Sequence, residues 1–333
     1  MTRVARDRAL RHAGQMSNSE RSKLSIVGAG AVGTSLAYAA LIRESAREIA
    51  LYDIQKAKVD AEVLDLAHGT QFTGSSRIIG GDDLDVVTGS DVVIITAGAK
   101  QHPGQSRLDL AAVNVGILRG LMPGLVERAP DAVYILVTNP CDILAVAAQK
   151  FSGLPSARVF ASGTVLDSSR LRWLLAERTG VSTSSVHAMI VGEHGDSEFA
   201  LWSQARIGPV PIQSWRPVDR APVSADELDS IAEDVKTAAY RVIEGKGATN
   251  YAIGLSGARI AEAVLRDEGA ILPVSSVLDG YHGISGVALA VPSIVDASGV
   301  SALIDVPFSE QEERQLQDSA RTLHEELAKL GLG

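Results

Sequence analysis

Short apolar runs alternate with longer, helix-spaced patterns through the first half of the chain. Residues 24–27 (LSIV), 49–52 (IALY), 92–96 (VVIIT) and 133–138 (VYILVT) are almost continuously apolar. Strands buried on both faces of a parallel sheet read this way. Between them, residues 33–43, 56–67, 108–128 and 142–151 have the length and spacing of helices. Such alternation predicts an α/β fold built on a doubly wound parallel sheet. The second half opens with a helix over 166–178, then an apolar stretch over 186–191 and a proline-containing region over 208–222. Two helices, near 225–244 and 256–266, precede strand regions around 270–278 and 288–295. A final amphipathic helix places Leu316, Leu323, Leu327 and Leu330 near one face. The pattern predicts a flexible basic tail over 1–21, a sheet domain over 22–164 and an α+β domain over 165–331.

Two domains suit 333 residues, because single cores rarely grow past roughly 250–300 residues. The net charge of −9 argues against nucleic acid as a partner, since neutralising phosphates needs a basic face. An anionic substrate would therefore need a local cationic island in an acidic protein. The single cysteine, Cys141, excludes an intrachain disulfide framework and predicts a reducing, cytoplasmic setting. No run of about 18 apolar residues occurs, so no membrane span is expected. The first 21 residues carry Arg3, Arg6, Arg8, Arg11 and Arg21 and lack a signal-peptide core. A solvated tail and an Arg-rich transit segment both remain open for them.

Gly28-Ala29-Gly30-Ala31-Val32-Gly33 is a G-x-G-x-x-G in the setting that gives the pattern meaning: an apolar strand before it and a helix after it. Gly28 permits the tight turn, Gly30 lets backbone approach a pyrophosphate, and Gly33 lets helix pack on strand. A pyrophosphate would sit at the positive helix N-terminus. Asp53 lies 20 residues after Gly33, at the end of the second predicted strand. A carboxylate there accepts from the ribose hydroxyls and repels an additional phosphate, so NAD is expected over NADP. A glycine turn that binds nothing is the bland alternative.

Asp167 and Arg170 are three apart on a predicted helix, hence on one face. By spacing alone they are a substrate grip or a surface ion pair worth roughly 0.3–0.5 kcal/mol. His194 stands between Gly192–Glu193 and Gly195–Asp196 in a polar loop after an apolar run, a common place for a site. Among the other histidines, His12, His68, His102, His282 and His324 have no comparable polar setting in the sequence.

Six segments in order, Gly28–Gly33, AGAKQHPGQSRLDL (97–110), TNPCD (138–142), GTVLDSSR (163–170), GEHGD (192–196) and GAT (247–249), resemble the L-lactate/L-malate dehydrogenase family. The resemblance runs from about Lys23 to the C-terminal helix. It implies a Rossmann NAD-binding domain, a catalytic domain and a homotetramer. His194 would exchange the proton as hydride moves at C2, which wants a base with pKa near 7. Asp167 would orient and stabilise its imidazolium. Arg170 would grip the substrate carboxylate with its planar fork. A polar loop over 100–106 would close over the substrate and bring Arg107 to the ketone oxygen, where negative charge develops. Asn139 would bond that oxygen or the cofactor amide, and Thr249 would lie beside the substrate methyl. Val32, Lys58, Gly98, Ala99, Thr138 and Ser162 match further cofactor contacts. No metal is implied.

Within the family, the position of Gln101 is arginine for dicarboxylates and glutamine for monocarboxylates. Charge counting agrees: oxaloacetate would bring a second carboxylate into a closed site with no dedicated cation, and an unpaired buried charge is costly. Pyruvate and L-lactate are therefore the expected substrates, in glycolysis or fermentation. A malate or broader 2-hydroxyacid dehydrogenase is the alternative, and a non-catalytic NAD-binding protein another. Arg172 and His187 match positions that bind fructose 1,6-bisphosphate in allosteric bacterial members. Arg172 is about 200° around the helix from Arg170, so it faces away from the substrate.

Overall fold

The computed structural model describes residues 22–99, 107–219 and 221–333. The tail over 1–21, the loop over 100–106 and with it Gln101 lie outside the described residues. The four predicted strands form as Lys23–Val27, Glu48–Tyr52, Val92–Ile95 and Val133–Leu136, all parallel. Arg77–Gly81 and Val159–Ala161 extend the parallel sheet at its two sides. Numbered along the chain, these six strands have the order 3-2-1-4-5-6, with Lys23–Val27 between Glu48–Tyr52 and Val92–Ile95. Strand order reverses there, and in such sheets the crevice beyond the strand carboxyl ends takes the ligand. Val92 to Ile95 are all fully buried, which explains their unbroken apolar character.

Sequence pattern missed both side strands and Gly299–Leu303. Arg77–Gly81 carries two glycines and an exposed arginine, and Val159–Ala161 spans three residues. The strand regions of the second half form a long antiparallel hairpin, Ala270–Tyr281 with Ile284–Asp296. The hairpin joins the first sheet, because Ser275 and Ser276 pair with Ala161 and Phe160. One nine-stranded sheet thus runs through both halves. The apolar stretch over 186–191 divides instead of forming one strand. Val186–His187 pairs with Arg206–Ile207, while Ile190–Val191 pairs with Phe199–Ala200, so its two ends find partners in different sheets.

Helix Arg107–Arg128 has an 18-residue window of mean hydropathy 1.3 and the length of a membrane span, which the apolar-run test did not flag. Ala111, Val115, Leu118, Met122 and Leu125 are buried in the sheet core, so its apolar face has a protein partner. Helix Ala31–Ile42 packs between the sheet and helix Tyr251–Leu265. A side chain at Gly254 would lie 2.8 Å from the Ser35 backbone. On helix Glu310–Lys329, Leu316, Leu323 and Leu327 are buried, whereas Leu330 is only its C-cap residue.

Candidate active site

The cofactor candidates come from distant parts of the sequence but share one edge. Gly28–Gly33 follow strand Lys23–Val27, Asp53 follows Glu48–Tyr52, and Gly98 and Ala99 follow Val92–Ile95. Thr138 and Asn139 follow Val133–Leu136, and Ser162 follows Val159–Ala161. The strand ends are level, with Val27 beside Ile95 and Tyr52, and Leu136 beside Ile95 and Ala161.

The three fingerprint glycines differ in what they meet. Gly28 has φ +111°, and a Cβ there would lie 2.7 Å from Ala97 N. At Gly33 a Cβ would fall 1.8 Å from the Gly28 carbonyl oxygen, so helix and turn touch backbone to backbone. At Gly30 a Cβ would meet nothing within 4 Å. Gly30 caps Ala31–Ile42 without a side-chain hydrogen bond, leaving that helix end facing an open cradle fit for an anion. The Asp53 carboxylate accepts from Ala29 N at 2.8 Å and Gln55 N at 3.0 Å, which fixes it beside the turn. Lys58 and Val32 are half-buried nearby in the chain. These residues fit a dinucleotide. Thr138 and Asn139 also hold the neighbouring strand ends together. The Thr138 hydroxyl donates to Ala97 O at 2.8 Å, its methyl lies under Gly98, and the Asn139 carbonyl accepts from buried Asn114 at 2.8 Å. Asn114 also accepts from Ala99 N at 2.8 Å, so it ties the two strand ends together. The Asn139 side chain is exposed.

The proton-transfer candidates come from two elements clipped to one another. Helix Val165–Thr179 carries Asp167 and Arg170. At its start the Thr164 hydroxyl donates to Ile190 O at 2.5 Å, and Ser168 Oγ accepts from Ile190 N at 2.9 Å. Strand Ile190–Val191 is thereby fastened to the helix, and the loop after it falls across Asp167. Gly192, at φ +96°, turns the chain while exchanging backbone bonds with Ala290. Glu193 N donates to Ser319 Oγ, and His194 N donates to Asp142 Oδ2 at 2.7 Å.

His194 Nδ1 then lies 2.7 Å from Asp167 Oδ2, and Arg170 donates to Asp167 Oδ1 at 2.6 Å. The pair is no surface ion pair: Asp167 is 1% exposed. Burial opposes charge on His194, but Asp167, with help from Glu198 and Asp142, outweighs it and raises the pKa to about 9. Burial likewise opposes the Asp167 anion, and the His194 and Arg170 partners outweigh it, lowering the Asp167 pKa. Asp167, His194 and Glu198 form the one trio among the described residues with metal-binding geometry. The Nδ1–Oδ2 separation is that of a hydrogen bond, which suits proton exchange between the two groups.

Arg107 is placed differently from the expectation. Its guanidinium pairs with Glu193 and donates to His194 O at 3.3 Å. Gly195 leaves it room, since a Cβ there would lie 2.5 Å from its nitrogen. Burial lowers its pKa, but Glu193, Glu326 and Asp142 outweigh that and raise it. The cations expected of an anion site, Arg107, Arg170 and His194, are present, each balanced by an acid. Arg107 and Arg170 are each set against carboxylates, and Asp142, Asp167, Glu193 and Glu198 are all buried around them. Burying an arginine requires a counter-charge, so an acid-rich setting is the physical consequence.

Thr249 is half-buried in the turn between helices Ala225–Lys246 and Tyr251–Leu265, and Ser162 is buried. Arg172 donates through Nε to Ala188 O at 2.9 Å, and burial lowers its pKa. The adjacent His187 is exposed and pairs across the strand with Arg206. His282 has the polar setting that the sequence did not reveal, with Nδ1 2.9 Å from Glu313 and Nε2 3.5 Å from Asp305. Sequence reasoning assigned no role to Asp142, Glu193 or Glu198. Asp142, in TNPCD, opens the apolar segment predicted as a helix over 142–151, and an acid there was the available signal, whereas Glu193 and Glu198 stand in a polar loop and gave none.

A family model described as the lactate/malate dehydrogenase NAD-binding domain matches residues 22–161. One described as the lactate/malate dehydrogenase alpha/beta C-terminal domain matches residues 164–331. An L-lactate dehydrogenase of Bifidobacterium animalis subsp. lactis is 52% identical over 93% of this chain and 97% of its own length. One of Synechococcus is 45% identical over 91% of this chain and 97% of its own. The crystal structure of a minor L-lactate dehydrogenase from Enterococcus mundtii, in a ligands-bound form, superposes with a TM-score of 0.89. It is 39% identical and covers 93% of this chain and 98% of that one.

Proposed function

Since the chain belongs to the lactate/malate dehydrogenase family, we propose that it catalyses the reversible reduction of pyruvate to L-lactate with NADH. It is an oxidoreductase with NAD as cofactor. The observation that carries the mechanism is the buried chain of Arg170, Asp167 and His194. Bound nicotinamide supplies the hydride. Asp167 occupies Nδ1, which leaves Nε2 to deliver a proton to the substrate oxygen. The resulting loss of charge on imidazole is reversed in lactate oxidation, when Nε2 takes the proton back. Arg170 uses one nitrogen on Asp167 and offers the rest of its fork to the substrate carboxylate. Arg107, released from Glu193, stabilises the developing oxyanion together with Asn139. Thr249 lies at the substrate methyl.

Pyruvate is favoured over oxaloacetate because Gln101 adds no cation for a second carboxylate. The expected result is rapid loss of NADH absorbance with pyruvate and little with oxaloacetate. Gln101→Arg should shift the kcat/KM ratio toward oxaloacetate by about tenfold or more, the minimum for a new charge-assisted bond. Comparable kcat/KM for the two acids in the unmodified protein would overturn the pyruvate assignment.

Residues 22–164 would serve as the NAD-binding domain and 165–331 as the catalytic one. Arg172 and His187 would hold a phosphate of fructose 1,6-bisphosphate, with Arg206 as a neighbouring cation. Trp173 is 56% exposed beside Arg172, which favours a subunit contact at that face of a cytoplasmic homotetramer. Fructose 1,6-bisphosphate is expected to lower the pyruvate concentration at half-saturation, and Arg172→Gln to abolish the effect. An unchanged saturation curve would remove the regulatory site, since an effector acts only through differential affinity for two states.

A further inference from the structure

The proposed reaction needs one base on His194, and the structure supplies a second acid beside it. Glu198 is 3% exposed, and its backbone N–H bonds Gly195 O at 3.1 Å, folding the loop back on itself. This turn brings Glu198 Oε2 to 4.0 Å from His194 Nδ1, the nitrogen already bonded to Asp167. Helix Val165–Thr179 faces Glu198 with Asp167 and Arg170, and helix Ala225–Lys246 faces it with Lys236. Asp142 faces the imidazole from helix Cys141–Ser152 through the His194 backbone, and Asp196 lies in the same loop. Lys236 donates to Asp196 O at 3.3 Å, so its charge is shared with the loop.

We propose that Glu198 is a positioning residue for proton transfer: its buried carboxyl, 4.0 Å from Nδ1, sets the upper pH limit at which His194 keeps its proton. This inference rests on the reading of His194 as proton carrier. Two carboxylates converging on one imidazole cannot both be anionic cheaply. Asp167 is held as the anion by His194 and Arg170. Glu198 is then the acid that carries a proton at neutral pH, and burial followed by the Asp167 charge pushes its pKa up. As pH rises, Glu198 releases that proton to solvent. The new negative charge holds the imidazole proton in place, so proton-donating His194 persists further into alkali. The two groups titrate as a coupled pair.

Glu198→Gln keeps the shape and removes the titration. The alkaline apparent pKa of kcat/KM for pyruvate should fall by about 1 unit, the size of effect of a charge within 4–6 Å. Equivalently, with the limiting pKa moved from about 9 to a value one unit lower, the pH 9 to pH 6.5 activity ratio should drop about fivefold relative to the unmodified protein. An unmoved pKa, whatever happens to the absolute rate, overturns the proposal and leaves Glu198 a packing residue. Should the variant not fold, the unmodified protein decides. With 13Cε1-labelled histidine, the resonance missing from His194→Ala should titrate in two steps, and a single step overturns the proposal. This titration needs no turnover, so it separates failure of the Glu198 role from failure of the dehydrogenase reading.

Discussion

His194→Ala is expected to lower kcat/KM for pyruvate by about 10²–10⁴-fold, the range of a positioned general acid. NADH affinity, read from its fluorescence, should stay near that of the unmodified protein, because the Gly28–Gly33 cradle belongs to another element. Asp167→Asn should cost a comparable factor of about 10²–10⁴, since an amide stabilises the imidazolium poorly and accommodates the wrong tautomer. The pH profile gives the sign independently. The His194 pKa is raised to about 9, burial opposing and Asp167 favouring the proton. Pyruvate reduction uses the protonated form, so it should persist below about 9 and fall as pH rises through that value. Lactate oxidation uses the neutral form and should rise over the same interval. A His194→Ala variant retaining more than about a tenth of the activity would displace His194 from the proton-carrying role.

Arg170→Lys should cost about 2–3 kcal/mol, roughly a hundredfold in kcat/KM, as charge-assisted hydrogen bonds are lost while the charge remains. The loss should appear mainly in KM for pyruvate, because the carboxylate is held in ground and transition states alike. A smaller fall in kcat is expected as well. Arg170 bonds Asp167 at 2.6 Å, and a lysine point charge supports that carboxylate less firmly. Pyruvate kinetics with kcat/KM within about threefold of the unmodified protein would exclude a bidentate grip. The pair is buried, so this effect should survive moderate salt, unlike that of a surface ion pair.

Much of the fold was legible because its signals are local. Residues 24–27 and 92–96 announce buried parallel strands by being apolar without alternation. Strand Arg77–Gly81 was not legible, since glycine and arginine in an edge strand carry no pattern. The hairpin's attachment to the parallel sheet was also hidden, because pairing of Ser275 with Ala161 spans the two halves of the chain. In the site, the spacing of Asp167 and Arg170 placed them on one helix face, and the structure has them bonded. The buried Glu193 and Glu198 were invisible for the opposite reason. Acids in a polar loop look solvated until packing encloses them.

Local pattern along the chain is enough to reveal a doubly wound sheet, a dinucleotide fingerprint ending at Asp53, and an Asp–Arg pair on one helix face. Strand periodicity and helix spacing are properties of neighbouring residues, so one chain suffices to read them. It takes the packed fold to bring His194 to Asp167 across 27 residues, and to have Asp142 hold its backbone across 52. The same packing rests Arg107 on Glu193, turns Glu198 toward the imidazole and surrounds the arginines with acids. Those contacts depend on how Thr164 and Ser168 clip a strand to a helix. Such long-range packing has no period along the chain, and it is burial that turns ordinary loop carboxylates into partners of a proton carrier.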